Sequence, residues 1–311
     1  MTFNEKKRKK SFLENVKYEY MVAGLSGGVV STAILHPFDL IKIRFQVNDG
    51  SGTIKNRQSY NGIMDAVRSI TRTNGIKGLY QGVSPNLAGA GSSWGLYFFS
   101  FNFCKASLKD YQQLESLSAT SHLLAGTIAG VFTLSLTNPI WVIKTRMCLQ
   151  TGATSANEVY YSGVLDGLKK LYQQEGLRGY YRGFVPGLFG VSHGALQFMA
   201  YEELKKMRSK YTGQPAESKL NPLEYIAMAA LSKVFAVVST YPYQVLRSRL
   251  QDAQYLGHYN GMVDTFQKIL RHEGVSGLYK GMFMSMLRVT PACCITFLVY
   301  ENVSHFLLEK N

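Results

Sequence analysis

One stretch constrains the fold more than any other, because it occurs three times. Pro37-Phe38-Asp39-Leu40-Ile41-Lys42-Ile43-Arg44, Pro139-Ile140-Trp141-Val142-Ile143-Lys144-Thr145-Arg146 and Pro242-Tyr243-Gln244-Val245-Leu246-Arg247-Ser248-Arg249 follow one another at about 100 residues. Each copy has Pro first, a variable third residue, and bases at the sixth and eighth places. A helix entering the stretch is kinked where Pro removes a backbone donor. The third and sixth places lie three residues apart and share a helix face. That face can present an acid and a base to neighbouring helices.

Further elements repeat at the same period. Tyr60-Asn61-Gly62, Tyr161-Ser162-Gly163 and Tyr259-Asn260-Gly261 form one set. Leu79-Tyr80-Gln81-Gly82, Tyr180-Tyr181-Arg182-Gly183 and Leu278-Tyr279-Lys280-Gly281 form another. The period exceeds the ~20–50 residues of common solenoids. Each unit reads as a span, a polar loop carrying a short helix, and a second span. The division is 1–16 as a solvated basic tail (Lys6 to Lys10), then repeats over 17–112, 113–213 and 214–311.

Charge placement identifies the spans. Residues 21–38, 83–104, 119–143 and 183–201 carry no formal charge. Residues 225–246 carry only Lys233, and 281–300 only Arg288. Each stretch is near the ~20 residues that cross a bilayer as a helix. A soluble helix ordinarily keeps one charged face, so membrane insertion outranks six buried helices of a soluble protein. The short helices fall at 63–73, 164–174 and 262–272, with apolar residues at helical spacing that suit a membrane surface. Free backbone N–H groups at Gly62, Gly163 and Gly261, and at Gly82, Gly183 and Gly281, favour anions such as lipid phosphate; plain turn chemistry explains the glycines equally well. Gly24-x-x-x-Gly28 and Gly126-x-x-x-Gly130 allow close helix packing, and Lys233 takes the place of the second glycine in the third unit.

The net charge of +14 suits nucleic acid in principle. Here the bases sit mainly between apolar stretches, which fits membrane loops and not nucleic-acid binding. Cys104, Cys148, Cys293 and Cys294 make no metal spacing, and the histidines form no cluster. No nucleophile–base pair at motif spacing and no phosphate-binding loop is present, so an enzyme is not expected, nor a metal or cofactor.

Together these motifs resemble the mitochondrial carrier family, over about residues 20–306. The resemblance implies an all-α membrane protein: six transmembrane helices in a three-fold pseudo-symmetric barrel with three short matrix-side helices. It implies solute transport across the mitochondrial inner membrane, both termini toward the intermembrane space, cardiolipin as a lipid partner, and a monomer. Pro139-Ile140-Trp141 resembles the branch carrying folate, FAD, pyrimidine nucleotides and NAD. The runs 93–99, 192–202 and 288–297 resemble members carrying folate or FAD, so the expected cargo, not a cofactor, is an anion with a fused nitrogen ring. A pyrimidine nucleotide or NAD is the alternative, and a proton leak or adaptor is the alternative from another class.

By the same resemblance, third-place residues pair with sixth-place bases of the next unit and close a matrix gate. The pairs are Asp39 with Lys144, Trp141 with Arg247 as a cation–π contact, and Gln244 with Lys42. The opposite, cytoplasmic gate uses Asn102, Lys105, Glu202, Lys205, Glu301 and Ser304, with Glu301–Lys105 its intact pair. Substrate contacts fall at Gly89, at Gly190 with Val191, and at Arg288, with Lys233 and Trp141 nearby. A glycine lets a flat ring approach the backbone, and an arginine inside a span grips phosphate or carboxylate.

Overall fold

The computed structural model describes residues 18–49, 60–112, 118–150, 159–213 and 221–309. The basic tail lies outside the described residues. The long helices are α1 (Tyr18–Val47), α3 (Val83–Gln112), α4 (Ala119–Leu149), α8 (Pro222–Gln251) and α10 (Met282–Glu309). The short helices that follow the odd spans are α2 (Ile63–Asn74), α5 (Val164–Tyr180) and α9 (Met262–Gly277). The fourth span is divided into α6 (Phe184–Phe189) and α7 (Ser192–Thr212). No strand occurs among the described residues.

Local chemistry sets the helix ends. Ser118 caps α4 by accepting from the Ser121 amide, and Asn221 with Glu224 forms a capping box at α8 with Pro222 in its first turn. The three short helices start alike. Asp65, Asp166 and Asp264 reach back to the amides of Asn61, Ser162 and Asn260, at 2.9, 2.9 and 2.8 Å. Each expected helix stop at a glycine is present as a left-handed residue: Gly75, Gly176 and Gly274 have φ of 66°, 61° and 67°.

Pro37, Pro139 and Pro242 lie inside continuous helices. Among the described residues, α4, α8 and α10 contain windows long and apolar enough to cross a membrane. α1 and α3 have the length, 30 residues each, but are rich in Gly and Ser.

The expected fourth span from Gly183 is corrected to two helical pieces. At Gly190 and Val191 the amides bond three residues back, to Gly187 O at 3.0 Å and Leu188 O at 3.1 Å. The coil is tightened there, not melted, since both residues keep helical dihedrals.

The chain forms two compact units, 36–286 and 1–35 with 287–311. In the smaller unit, the start of α1 packs closely on α10. A Cβ on Gly27 would lie 2.8 Å from the Thr296 carbonyl, and Ser31 Oγ donates to Ala292 O at 3.3 Å. Gly28, the second glycine of the Gly24 pair, faces open space.

In the larger unit the ends of α1, α4 and α8 are bound in a cycle by the eighth-place arginines. Arg44 Nε donates to Cys148 O, Arg146 Nε to Gln251 O, and Arg249 Nε to Gln46 O, each at 3.0 Å. Each guanidinium also donates to the tyrosine before its short helix: Tyr60, Tyr161 and Tyr259, at 3.0, 3.2 and 3.3 Å. In repeats two and three a glutamate completes the cluster. Glu175 pairs with Arg146 at 2.5 Å and Arg182 at 2.7 Å. Glu273 pairs with Arg249 and, at 2.6 Å, with Lys280.

Repeat one lacks both the acid and the second base. Asn74 and Gln81 stand in their places, and Gln81 Oε1 accepts from Arg44 at 3.2 Å. Base–acid–base and a lone base with two amides have the same net charge. A carboxylate pairs with the buried guanidinium in repeats two and three, whereas in repeat one Arg44 is held by neutral acceptors among the described residues.

Two outcomes are expected. Glu273→Gln, leaving fully buried Arg249 without its carboxylate, lowers stability by about 3–5 kcal/mol. Adding Lys280→Gln, which reproduces repeat one, recovers part of that loss; thermal unfolding in detergent measures both, and no recovery refutes the charge-balance account. At α5, the hydrogen bond from Lys170 and then the Ser162 amide hold the Asp166 carboxyl down from 3.8 to about 2. A depressed carboxyl stabilises above its ordinary value, and the gain is lost as pH falls through its folded value. Protection of the Ser162 amide, its exchange rate relative to an unstructured amide at the same pH, therefore falls between pH 3.8 and about 2, and Asp166→Asn removes this acid step.

Candidate functional site

The site is built where the three odd helices converge just past their prolines. The residue before each proline performs one task with three chemistries. His36 Nε2 bonds Gln81 O at 2.8 Å, Asn138 Nδ2 donates to Arg182 O at 3.3 Å, and Tyr241 Oη donates to Lys280 O at 3.1 Å. These three carbonyls immediately precede Gly82, Gly183 and Gly281, so each odd helix is pinned to the start of its own repeat's even span.

Those glycines also carry the contact to the next repeat. A Cβ on Gly82 would lie 3.2 Å from Lys144 O, on Gly183 3.0 Å from Arg247 O, and on Gly281 2.9 Å from Lys42 O. Their φ values are 79°, 67° and 82°. Each thus sits against the sixth-place residue of the following odd helix, where only glycine fits both the backbone turn and the gap.

Of the three expected pairs in the proline-end gate, the structure brings one together: Lys42 Nζ donates to Gln244 Oε1 at 2.7 Å. The other two are corrected. Lys144 Nζ lies 5.7 Å from the centre of the Trp141 ring, one turn along its own helix, and is not ion-paired with Asp39. Asp39 is buried and accepts from Asn86 Nδ2 at 3.3 Å, within a cluster that includes His36. Arg247 donates to Asn138 Oδ1 at 3.2 Å, not to the Trp141 face, and its Nε is buried without a partner among the described residues. Each base is instead engaged by a neutral group, Lys144 by the indole one turn back on its own helix and Arg247 by the Asn138 amide.

The expected contact glycines serve the odd helices. The Cβ position of Gly89 is 3.3 Å from both Ile140 and the Trp141 ring. That of Gly190 is 3.0 Å from Tyr243 Oη, and the Val191 side chain sits 2.8 Å from the Cβ position of Gly130. Each glycine thereby makes room for an aromatic residue at the gate. Lys233 lies half-buried on α8. Arg288 lies on α10 in the smaller unit, with Glu301 exposed two turns or more beyond it.

At the other end of the even spans, Asn102 and Lys105 are exposed. Lys205 pairs with Glu202 of its own motif at 3.6 Å and lies 5.9 Å from the Tyr201 ring, so it is not joined to Asn102. The Ser304 side chain lies outside the described residues.

Sequence reasoning missed Asn86, Asn138, Tyr243 and the eighth-place arginine clusters. A signal existed for Asn138: the residue before every motif proline is able to hydrogen-bond, although its identity changes from His36 to Tyr241. The tyrosines of the aromatic-x-Gly motif were visible as repeats but not as arginine partners. Lipid-directed expectations at Gly62, Gly163 and Gly261 meet a carboxylate already placed at each helix start.

The sequence profile described as Mitochondrial carrier protein matches residues 14–112, 115–212 and 218–311. The chain is 39% identical over 301 residues to Folate transporter 1, chloroplastic, of Arabidopsis thaliana, covering 94% of this chain and 96% of that one. It is 35% identical over 307 residues to the mitochondrial FAD carrier protein of Saccharomyces cerevisiae, covering 92% and 96%. It is 36% identical over 295 residues to Nicotinamide adenine dinucleotide transporter 1, chloroplastic, of Arabidopsis thaliana, covering 92% and 91%. Three matched segments, each containing one proline motif, one arginine cluster and one pinned glycine, make this chain a member of the mitochondrial carrier protein family, a membrane carrier with the family's three-repeat helical fold.

Proposed function

We propose that this carrier moves FAD, folate or both across the mitochondrial inner membrane, by alternating access around one central site. The carrying observation is the imbalance at the proline-end gate. Lys144 and Arg247 have no acidic partner among the described residues, and the gate contains a single acid, Asp39. A basic floor beside Trp141 and Tyr243 suits cargo with an anionic end and a flat ring. Relatives named for folate, FAD and NAD support the same class.

Arg288, Lys233, Gly89, Gly190, Val191 and Trp141 are assigned to cargo binding. The gate residues move between pairings as cargo stabilises the intermediate state by its differential affinity. No chemical step is assigned; family members are carriers. The chain acts as a monomer, with both termini toward the intermembrane space. An anionic lipid such as cardiolipin occupies the cavity of about 210 Å³ lined by Arg178, Arg182, Gly183 and Gly261. A pyrimidine nucleotide or NAD is the second reading, favoured by the relatives named for NAD. A proton leak or adaptor would not need the retained Arg288.

Purified protein in liposomes, offered labelled FAD, a reduced folate, NAD and a pyrimidine nucleotide, takes up FAD or folate. Uptake of NAD or the pyrimidine nucleotide alone transfers the proposal to the second reading, and proton conductance without uptake rejects both. Arg288→Ala abolishes uptake while the protein still elutes as a folded species. Gly89→Leu drives a side chain into Trp141 and slows uptake about ten-fold, as overpacking of this kind costs roughly 1–3 kcal/mol; Gly95→Leu, at a glycine facing open space, does not.

A further inference from the structure

One side chain in the larger unit is held in a defined protonation pattern that no contact so far explains. His193 stands in the first turn of α7, three residues after Gly190 and on the same face. Its Nδ1 lies 2.9 Å from Thr240 Oγ1 on α8. Thr240 Oγ1 donates its one hydrogen to Ala236 O at 2.6 Å. Toward His193 the hydroxyl can therefore only accept. Nδ1 carries the hydrogen, and in the neutral ring Nε2 is an acceptor. The Ala236 carbonyl also lies within hydrogen-bonding reach of the ring, an acceptor that likewise calls for a ring N–H, and no hydrogen bond to Nε2 occurs among the described residues.

Beyond Thr240 and the Ala236 carbonyl, the charged side chains that bear on the ring are cations. The charges of Lys233 and Lys42 both act on the ring. Lys233, Thr240, Gln244 and Arg247 recur at helical spacing on one face of α8. That face meets α1 through Lys42 and Gln244, and α7 through His193. The Gln244 carbonyl is already taken by Lys42, and the Asn138 carbonyl by Arg247. Lys and Arg accept nothing. One turn from Gly190, where the ring of Tyr243 approaches the backbone, Nε2 is thus an acceptor held open among cations.

We propose that His193 is a specificity-determining residue whose Nε2 accepts a hydrogen bond from an N–H donor on the ring system of the cargo, while the lysines and arginines take its anionic end. The inference rests on the transport reading above and adds the group that reads the ring. A fused ring with an imide or lactam N–H, the chemistry shared by flavins and pterins, presents such a donor; an N-methylated ring does not. Thr240 is a positioning residue, since it fixes which nitrogen bears the hydrogen.

Liposome uptake by the full-length protein tests it, with each carried compound compared against its analogue methylated at the ring N–H. Wild type favours the unmethylated compound by about three- to ten-fold in KM, the size of one net hydrogen bond. His193→Phe loses the preference and largely keeps kcat. His193→Gln, which returns a carbonyl near the Nε2 position, restores it. A preference that survives in His193→Phe, or is absent from wild type, overturns the proposal. So does failure of His193→Gln to restore it. Should His193→Phe not fold, Thr240→Val reports the same quantity and is expected to lower the preference. If wild type carries neither FAD nor folate, the transport reading fails separately, and the same comparison with the N-methylated form of the nucleotide actually carried decides the role of His193.

Discussion

The structure depends on three buried arginine clusters. Arg44, Arg146 and Arg249 each reach from one odd helix to a terminal carbonyl of the next, and each also holds the tyrosine of its own loop. A helix end leaves carbonyls without intrahelical partners, and a guanidinium offers a fixed fork of donors to satisfy them. Hydrogen bonds to charged groups contribute about 1.5–3 kcal/mol each when the charge is otherwise balanced. A carboxylate, Glu175 or Glu273, balances the arginine in two repeats; in the first, neutral Asn74 and Gln81 stand in place of the acid and the second base and add no charge. The Oδ1 of Asn74 is buried with no hydrogen-bond partner among the described residues.

On this cycle the gate is assembled with little help from ion pairs. Lys42 meets an amide, Lys144 an indole and Arg247 an amide. Among the described residues, Lys144 and Arg247 are held without a carboxylate partner. On the transport reading proposed above, such a site carries positive charge into the path of an anion, and a gate lacking strong pairs opens at smaller energetic cost. At the far ends of α3 and α7, by contrast, Asn102 and Lys105 are exposed and Lys205 is engaged within its own helix. Adjacent repeats also meet away from the proline ends, where Arg208 pairs with Glu224 at 3.0 Å and Phe101 stacks on His122.

Much of this was legible in the residues. The period, the six charge-poor stretches, the loop helices and their glycine stops follow from rules that act over a few residues: helix spacing, the missing donor of proline, the left-handed freedom of glycine. The Lys42–Gln244 contact is one that the resemblance to the family implied. The Trp141–Arg247 and Asp39–Lys144 pairs did not form, because Lys144, Asn138 and Asn86 compete for the same groups at shorter range. Sequence spacing names who shares a face; it does not rank rival partners on neighbouring helices.

By itself the sequence determined the three-fold plan, because each repeat carries its own helix starts, stops and kinks. Only the tertiary structure decided what the repeated residues touch. It showed that His36, Asn138 and Tyr241, unlike in chemistry, pin equivalent carbonyls. It showed that Gly89 and Gly190 yield space to Trp141 and Tyr243, and that Thr240 Oγ1 lies between His193 Nδ1 and the Ala236 carbonyl. Those facts turn on contacts between residues 39 or more apart in the chain, and such contacts depend on the packing of whole elements, to which local residue preferences are blind.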